Sequence, residues 1–402
     1  MNGGVNLKNK VVITGIGINC CLGKNKQMII DELRKENYFK MTSLAEFDDL
    51  GEMYCGINHN VEKEEVKTIF SMDKSEKMAL HAMKEALEHA NLVLDNNLRL
   101  AVSLATSIMG SDYLENYVKE TENLYWILNS KACLRRVIQT MGISAPMYTT
   151  SSACASGTAG FGIAVDLIES GERDVVICCG TDHISAISIY GFKSLDALSL
   201  SLAKPFSEER DGINLGEGCC VLILENQTYA QNRGATSYGE VVGYGLSNDA
   251  YHMTSPIPDG TGALSAMMQT TENKNISKDN SLYINAHGTG TKANDVMESK
   301  AIASFLSETE LKCHISSTKS MTGHCLGAAG AVELGLSLIY QMSELKPITA
   351  NSDERLLTEL SSMNDQGFNY KYTLSNSFAF GGSNASILIK NLPTKQEQSN
   401  EY

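Results

Sequence analysis

The stretch Thr149-Thr150-Ser151-Ser152-Ala153-Cys154-Ala155-Ser156-Gly157 decides how this chain is read. A β-prone run ends at a cysteine, and a helix opens immediately behind it. Ala153, Ala155, Ser156 and Gly157 are small enough for a tight strand-to-helix turn, and Gly160 and Gly162 keep the helix slim against its neighbours. Cys154 is thereby expected at a helix N-terminus, where exposed backbone N–H groups and the helix dipole favour a thiolate. That is the setting of a nucleophile. A buried packing cysteine is the competing reading of the same residue, because free cysteines are among the most buried side chains.

Two later segments bear on that choice. Leu282-Tyr283-Ile284-Asn285-Ala286-His287-Gly288-Thr289-Gly290-Thr291 reads as an apolar strand running into a glycine- and threonine-rich turn, with His287 at the strand's C-terminal end, facing a cleft. The segment from His314 to His324 repeats the layout around Cys154: a short strand, a small-residue turn, then a helix expected from Cys325 to Met342. On this reading His324 stands where Cys154 stands. A single histidine in such a turn is more often a satisfied structural residue. Here there are two, with Lys319 five residues before the second.

In this order the motifs resemble those of the elongating, type II β-ketoacyl-acyl carrier protein synthases of the thiolase superfamily. The resemblance runs from about Val11 to Lys390 and is densest after Thr149. It takes in Lys204-Pro205-Phe206, Glu209-Arg210-Asp211-Gly212, Ser247 to Pro256, and Ser375 to Asn384. It implies an α/β chain of the thiolase fold, two duplicated βαβαβαββ halves in a five-layered αβαβα sandwich. The expected division is an N-terminal half over 10–240 with the nucleophile, a C-terminal half over 241–390 with both histidines, and a polar tail over 391–402. Strand candidates at Val11–Gly15, Asp174–Cys179, Val221–Glu225 and Thr373–Asn376 alternate with small-residue helices, as an α/β class requires. An Asp73/Glu76 capping pair opens a helix to Asn91 whose apolar stripe reads as core packing.

The resemblance also implies roles. Cys154 would take the acyl group, and His287 and His324 would hold the enolate oxygen as neutral imidazoles. Lys319 would fix the second imidazole by its charge, with Asp295 and Glu333 as acidic supports of that cluster. The backbone N–H groups of Cys154 and Phe380 would form the oxyanion hole. Thr289 and Thr291 would hold the phosphopantetheine arm, Phe378 and Phe380 would gate the acyl pocket, and the Asp249 to Thr254 stretch would be a second gating loop with Thr254 on the substrate side. No cofactor of the protein's own is implied, since phosphopantetheine arrives on the carrier, and no metal-site spacing appears. The expected partners are an acyl carrier protein and a second subunit, identical or a chain-length factor.

Neighbouring branches are disfavoured by single residues. A thiolase carries a second cysteine in its C-terminal glycine-rich loop, which here reads Ser377-Phe378-Ala379-Phe380-Gly381-Gly382. Priming synthases place asparagine at one of the two histidine positions, and chain-length factors lose the cysteine. A cysteine hydrolase would leave the second histidine and Lys319 without a role. Ala379, Ser152 and the Ile189 to Leu195 stretch bring the wording closest to ketosynthases of specialised pathways such as aryl polyene biosynthesis, with housekeeping fatty-acid elongation as the alternative.

Composition decides less. The chain has 402 residues, and no linker divides it. Its eleven cysteines, three pairs of them adjacent and none in Cys-x-x-Cys, fit a reduced interior. A net charge of -14 argues against nucleic acid. No apolar run approaches the roughly 18 residues that would span a bilayer, so a cytoplasmic protein is expected. Because carrier proteins are acidic, docking calls for local cations, for which Lys131, Arg135, Arg136 and Lys204 are candidates.

Overall fold

The computed structural model describes residues 9–35, 42–43, 53–62, 72–95, 97–118, 130–272, 274, 276–278, 280–357, 360 and 370–392. Ten strands carry the architecture: β1 (Val11–Cys20), β2 (Leu100–Ala105), β3 (Met147–Thr150), β4 (Val175–Asp182), β5 (Gly218–Asn226), β6 (Gly239–Asn248), β7 (Ser281–Asn285), β8 (Lys312–Ser316), β9 (Tyr372–Phe378) and β10 (Ser383–Asn391). They form one sheet in the order β8-β7-β9-β10-β6-β1-β5-β4-β2-β3. Each half of that order repeats the other. In the first, β2 is parallel to β3 and β4, while β5 runs antiparallel between β4 and β1. In the second, β7 is parallel to β8 and β9, while β10 runs antiparallel between β9 and β6. The halves meet where Val11, Val12 and Ile13 of β1 pair with Val241, Glu240 and Gly239 of β6.

The helices repeat as well. In the first half α1 (Lys74–Ala90), α2 (Ser130–Thr140) and α3 (Ser156–Glu169) follow β1, β2 and β3, and α4 (Ala186–Ser194) is added between β4 and β5. In the second, α5 (Thr261–Thr271), α6 (Lys292–Thr309) and α7 (Ala329–Met342) follow β6, β7 and β8. α1 lies on β1 and β5 with α2 packed against it, and α5 lies on β6 and β10 with α6 packed against it. α3 and α7 touch strands of both halves and each other. The result is the expected five-layered αβαβα sandwich, its middle layer made of α3 and α7. α1 starts with the anticipated capping box at Asp73 and Glu76 and ends on Asn91 in the left-handed region. The expected tail falls largely on residues outside those described. Among the described residues no helix is long and apolar enough to cross a membrane, and no cluster of His, Cys, Asp or Glu suits a metal ion.

The middle layer is apolar and closely packed. Phe161, Val165 and Ile168 of α3 share one buried cluster with Val332, Leu336 and Ile339 of α7. The two helices cross at Gly157 and Gly330. A Cβ at Gly157 would lie 2.6 Å from the Ala331 nitrogen, and one at Gly330 would lie 2.3 Å from Thr158 Oγ1. Because backbone faces Gly157, Gly157→Ala is expected to push the helices apart at a cost of about 1–3 kcal/mol. A urea titration would show a lower midpoint at an unchanged slope. An unaltered midpoint would mean that the crossing is looser than this.

Candidate active site

Cys154 sits in the turn between β3 and α3, just before the Ala155 N-cap, which makes no side-chain capping bond. The turn is strained. Ala153 has φ 47°, in the left-handed region that a residue with a Cβ seldom adopts. Ser156 holds it there, its Oγ accepting the Ser152 N–H at 2.8 Å and donating to the Ala153 carbonyl at 2.6 Å. The second half repeats the strain at Leu326, φ 53°, in the same place relative to the start of α7 as Ala153 is to α3.

This register corrects the expectation that His324 stands where Cys154 stands. The counterpart of Cys154 is Gly327, whose N–H donates to Asp182 Oδ2 at 2.7 Å. His324 lies earlier, in a longer connection between β8 and α7, and the expected helix from Cys325 starts only at Ala329, after a short 3-10 turn.

A second expectation is also revised. Burial pushes the Cys154 thiol up to about 12, with the Lys319 charge pulling the other way. A helix N-terminus contributes up to about 2 kcal/mol in favourable geometry, or about 1.5 pKa units, so it does not offset burial here. The resting group is a thiol, and its attack requires a proton acceptor.

Both histidines lie against the same cavity as Cys154. Their rings meet edge to face, centroids 5.4 Å apart at 86°. Both are buried, and burial together with the Lys319 charge holds both pKa values well below the usual histidine value. Both imidazoles are therefore neutral at physiological pH. His324 Nδ1 accepts the Leu326 N–H at 3.2 Å, which places its proton on Nε2 and makes that nitrogen a donor. His287 Nδ1 is buried with no hydrogen-bond partner among the described residues. Depressed pKa values keep a base neutral as pH falls through 6.5. Decarboxylation of a malonyl donor by pre-acylated enzyme is thus expected to hold its rate between pH 8 and 6; a fall centred near 6.5 would show that an imidazole is charging.

Behind the cavity the cluster is held by charge. Lys319, 2% exposed, pairs with Glu333, also 2% exposed. Burial pushes the Glu333 carboxyl up to about 7, with the Lys319 charge opposing. Asp295 is not placed on Lys319 as expected. Its Oδ2 accepts the Phe206 N–H at 2.7 Å and its Oδ1 the Gly290 N–H at 3.2 Å, so it shapes the turn that carries Thr289 and Thr291. One turn further along α6 is a residue that sequence reasoning missed. Glu298 accepts the N–H groups of both His287 and Gly288 at 2.7 Å, fixing the backbone from which the His287 ring projects. Its spacing from Asp295, on the same helix face, was the available signal.

The cavity holds about 380 Å³ and is lined by Cys154, His287, His324, Thr254, Thr289, Thr291, Phe378 and Phe380 among others. Every expected site residue except Lys319, Asp295 and Glu333 reaches it, and those three lie behind its wall. The Thr289 and Thr291 hydroxyls are 2.9 Å apart. Phe192 of α4, also missed from sequence, puts its ring 5.7 Å from Phe380 and 6.2 Å from His324. The loops after β6 and β9 are tied together: Asn384 Nδ2 donates to Asp249 Oδ1 at 2.7 Å, and the Gly381 N–H to the Met253 carbonyl at 2.7 Å. Among the described residues no carbonyl takes the N–H of Cys154 or Phe380, while those of Ala155, Ala379, Gly381 and Gly382 are all engaged.

The docking candidates fare differently. Arg136 is buried and donates from Nε to Glu76 Oε1 at 2.7 Å, which removes it from any docking surface. Arg135 is exposed. Lys204 pairs with Glu209 at 2.6 Å, and the Lys131 side chain lies outside those described.

Residues 8–230 match the family profile of the Beta-ketoacyl synthase N-terminal domain, and residues 238–352 that of the C-terminal domain. The chain is 32% identical over 408 residues to 3-oxoacyl-[acyl-carrier-protein] synthase 2 of Staphylococcus aureus (strain N315), covering 95% of this chain and 98% of the relative. Identity to the protein of that name from Synechocystis sp. is 32% over 414 residues, with the same coverage. Among solved structures, a type II PKS ketosynthase in complex with its acyl-carrier protein and bound to the hexaketide superposes with a TM-score of 0.81 at 28% identity, covering 96% of this chain and 100% of that one. A ketosynthase in complex with its chain length factor from Xenorhabdus doucetiae gives 0.78 at 28%, covering 98% and 100%.

Proposed function

Since the chain belongs to the beta-ketoacyl synthase family, we propose that it condenses an acyl thioester with malonyl-acyl carrier protein at Cys154, His287 and His324. The observation that carries this assignment is the meeting of one thiol and two neutral imidazoles in a single cavity. The thiol attacks the acyl thioester and displaces the carrier's thiol. His324 cannot take the Cys154 proton, because its Nδ1 is already engaged and its Nε2 carries hydrogen. The proton lost by the thiol ends on the carrier's leaving sulfur, and His287, whose Nδ1 makes no hydrogen bond among the described residues, is the imidazole left free to relay it. The tetrahedral oxyanion falls to the N–H groups of Cys154 and Phe380, and such donors contribute roughly 2.7–4 kcal/mol each in other enzymes.

Loss of carbon dioxide from the malonyl group then leaves an enolate. Its oxygen accepts from the histidine N–H groups, and neutral donors suit it because they stabilise the charge without quenching it as an acid would. The enolate carbon attacks the acyl carbonyl, a carbon–carbon bond forms, and the Cys154 sulfur leaves as a thiolate that takes up a proton from solvent to restore the resting thiol. Holding both fragments in one small cavity supplies the orientation that free solution lacks. Burial, with the Lys319 charge added from behind, keeps the imidazoles neutral.

For the pathway, we place the protein in a specialised type II system in which it works on a carrier-bound chain beside a second subunit. Supporting this are Ala379 and Ser152 and the likeness to ketosynthases solved with a carrier protein and with a chain length factor. Intact-mass measurement tests both levels. An acyl adduct on Cys154 that leaves as a β-ketoacyl product only with malonyl-carrier present fits the reaction, and the acyl group preferred among saturated and polyunsaturated carriers identifies the pathway. Discharge as free acid without malonyl donor would overturn the assignment in favour of a hydrolase.

A further inference from the structure

The cavity is poor in positive charge. Of the acidic and basic side chains lining it, Asp196, Asp211 and Asp249 are carboxylates and Lys292 is the cation. Two nearby cations are paired: Lys204 with Glu209 at 2.6 Å and Arg355 with Glu208 at 2.7 Å. Arg210 donates from Nη1 to the Ser207 carbonyl at 2.8 Å and from Nη2 to the Lys292 carbonyl at 3.3 Å, so it anchors the backbone of residue 292. The Lys292 side chain is exposed, and no ion pair to it is found among the described residues. It follows Thr291 directly, beside the two hydroxyls assigned to the pantetheine arm.

A carrier-bound donor brings a phosphate at the outer end of that arm. Of the charged side chains lining the cavity, Asp196, Asp211 and Asp249 repel this phosphate and Lys292 attracts it. Two of the carboxylates are themselves fixed, Asp249 by the Ile257 N–H at 2.9 Å and by Asn384, and Asp211 by the Ser199 hydroxyl at 2.6 Å. They cannot swing aside without breaking the turns they hold. We infer that Lys292 recognises the phosphate of the phosphopantetheine arm, a specificity contact beyond the threonine hydroxyls. The inference rests on the condensing reading of the site given above.

The test uses carrier-free donors. The second-order rate constant for acylation of Cys154 is measured by intact mass with an acyl-phosphopantetheine and with the same acyl-pantetheine lacking phosphate. An exposed ion pair is worth up to about 1 kcal/mol, or about fivefold. Lys292→Gln should therefore lower the rate constant about fivefold for the phosphorylated donor and leave the other unchanged, while Lys292→Arg restores it. High salt should erase the wild-type preference, because exposed charges are screened. Equal effects on both donors, or an effect seen only with intact carrier protein, would overturn the inference, the latter in favour of a contact to the carrier's own carboxylates. If neither donor nor any acyl-carrier labels wild-type Cys154, the reading of the site itself fails, and the inference with it.

Discussion

Cys154→Ala is expected to lower condensation by about 10⁴-fold or more, the scale on which enzymes lose activity when their nucleophile is removed. The side chain is 7% exposed and lies between a strained Ala153 and the start of α3. Alanine fits the turn, so the protein should fold and its unfolding midpoint should barely move. What disappears is the acyl adduct, because among the described residues no other cysteine lines the cavity. The measurement is intact mass after incubation with acyl-carrier protein, beside an assay of β-ketoacyl product. Retained condensation would mean that the chain is handed over without passing through Cys154, and the mechanism would be wrong.

His324→Ala should separate the two halves of the cycle. It removes a donor whose proton is fixed on Nε2 by the Leu326 N–H, and loss of one preorganised donor typically costs 10²–10³ in rate. That loss should fall on decarboxylation, where the enolate charge develops. Acylation should persist, since its oxyanion relies on the N–H groups of Cys154 and Phe380 and the engaged Nδ1 of His324 takes no part in the thiol's proton transfer. His324→Asn, which keeps an N–H donor, should recover part of the lost rate. Equal damage to acylation and decarboxylation would point instead to a general collapse of the turn at Leu326.

How far the site could be read from sequence depends on the distance over which each residue's role is decided. Cys154 and His287 were legible because each closes a strand and opens a small-residue turn, a pattern contained in about ten residues. The duplication was visible for the same reason. Its register was not, because the connection before α7 is longer than the one before α3, and matching polar residues by type paired His324 with Cys154 where backbone strain pairs Leu326 with Ala153. Arg136 looked like a docking cation because its partner Glu76 is sixty residues away. Glu298 escaped notice because its spacing from Asp295 marks a shared helix face but does not tell a carboxylate that accepts two turn N–H groups from one facing water. The thiol's upward shift is a property of assembled packing, since desolvation has no signature in a nonapeptide. The β1–β6 seam was equally hidden, being three residue pairs between segments far apart in the chain.

The crossing of α3 over α7 also bears on how the protein comes into being on the ribosome. The nucleophile belongs to the first half and both histidines to the second, and the two meet only when Gly157 can seat against Gly330. A chain growing at roughly 5–20 residues per second exposes the Cys154 half for on the order of ten seconds before the histidine-bearing half has emerged. Throughout that interval the cysteine has neither imidazole nor lysine beside it. The thiol and the imidazoles that act with it are therefore brought together by the joining of the two halves and not by either half alone.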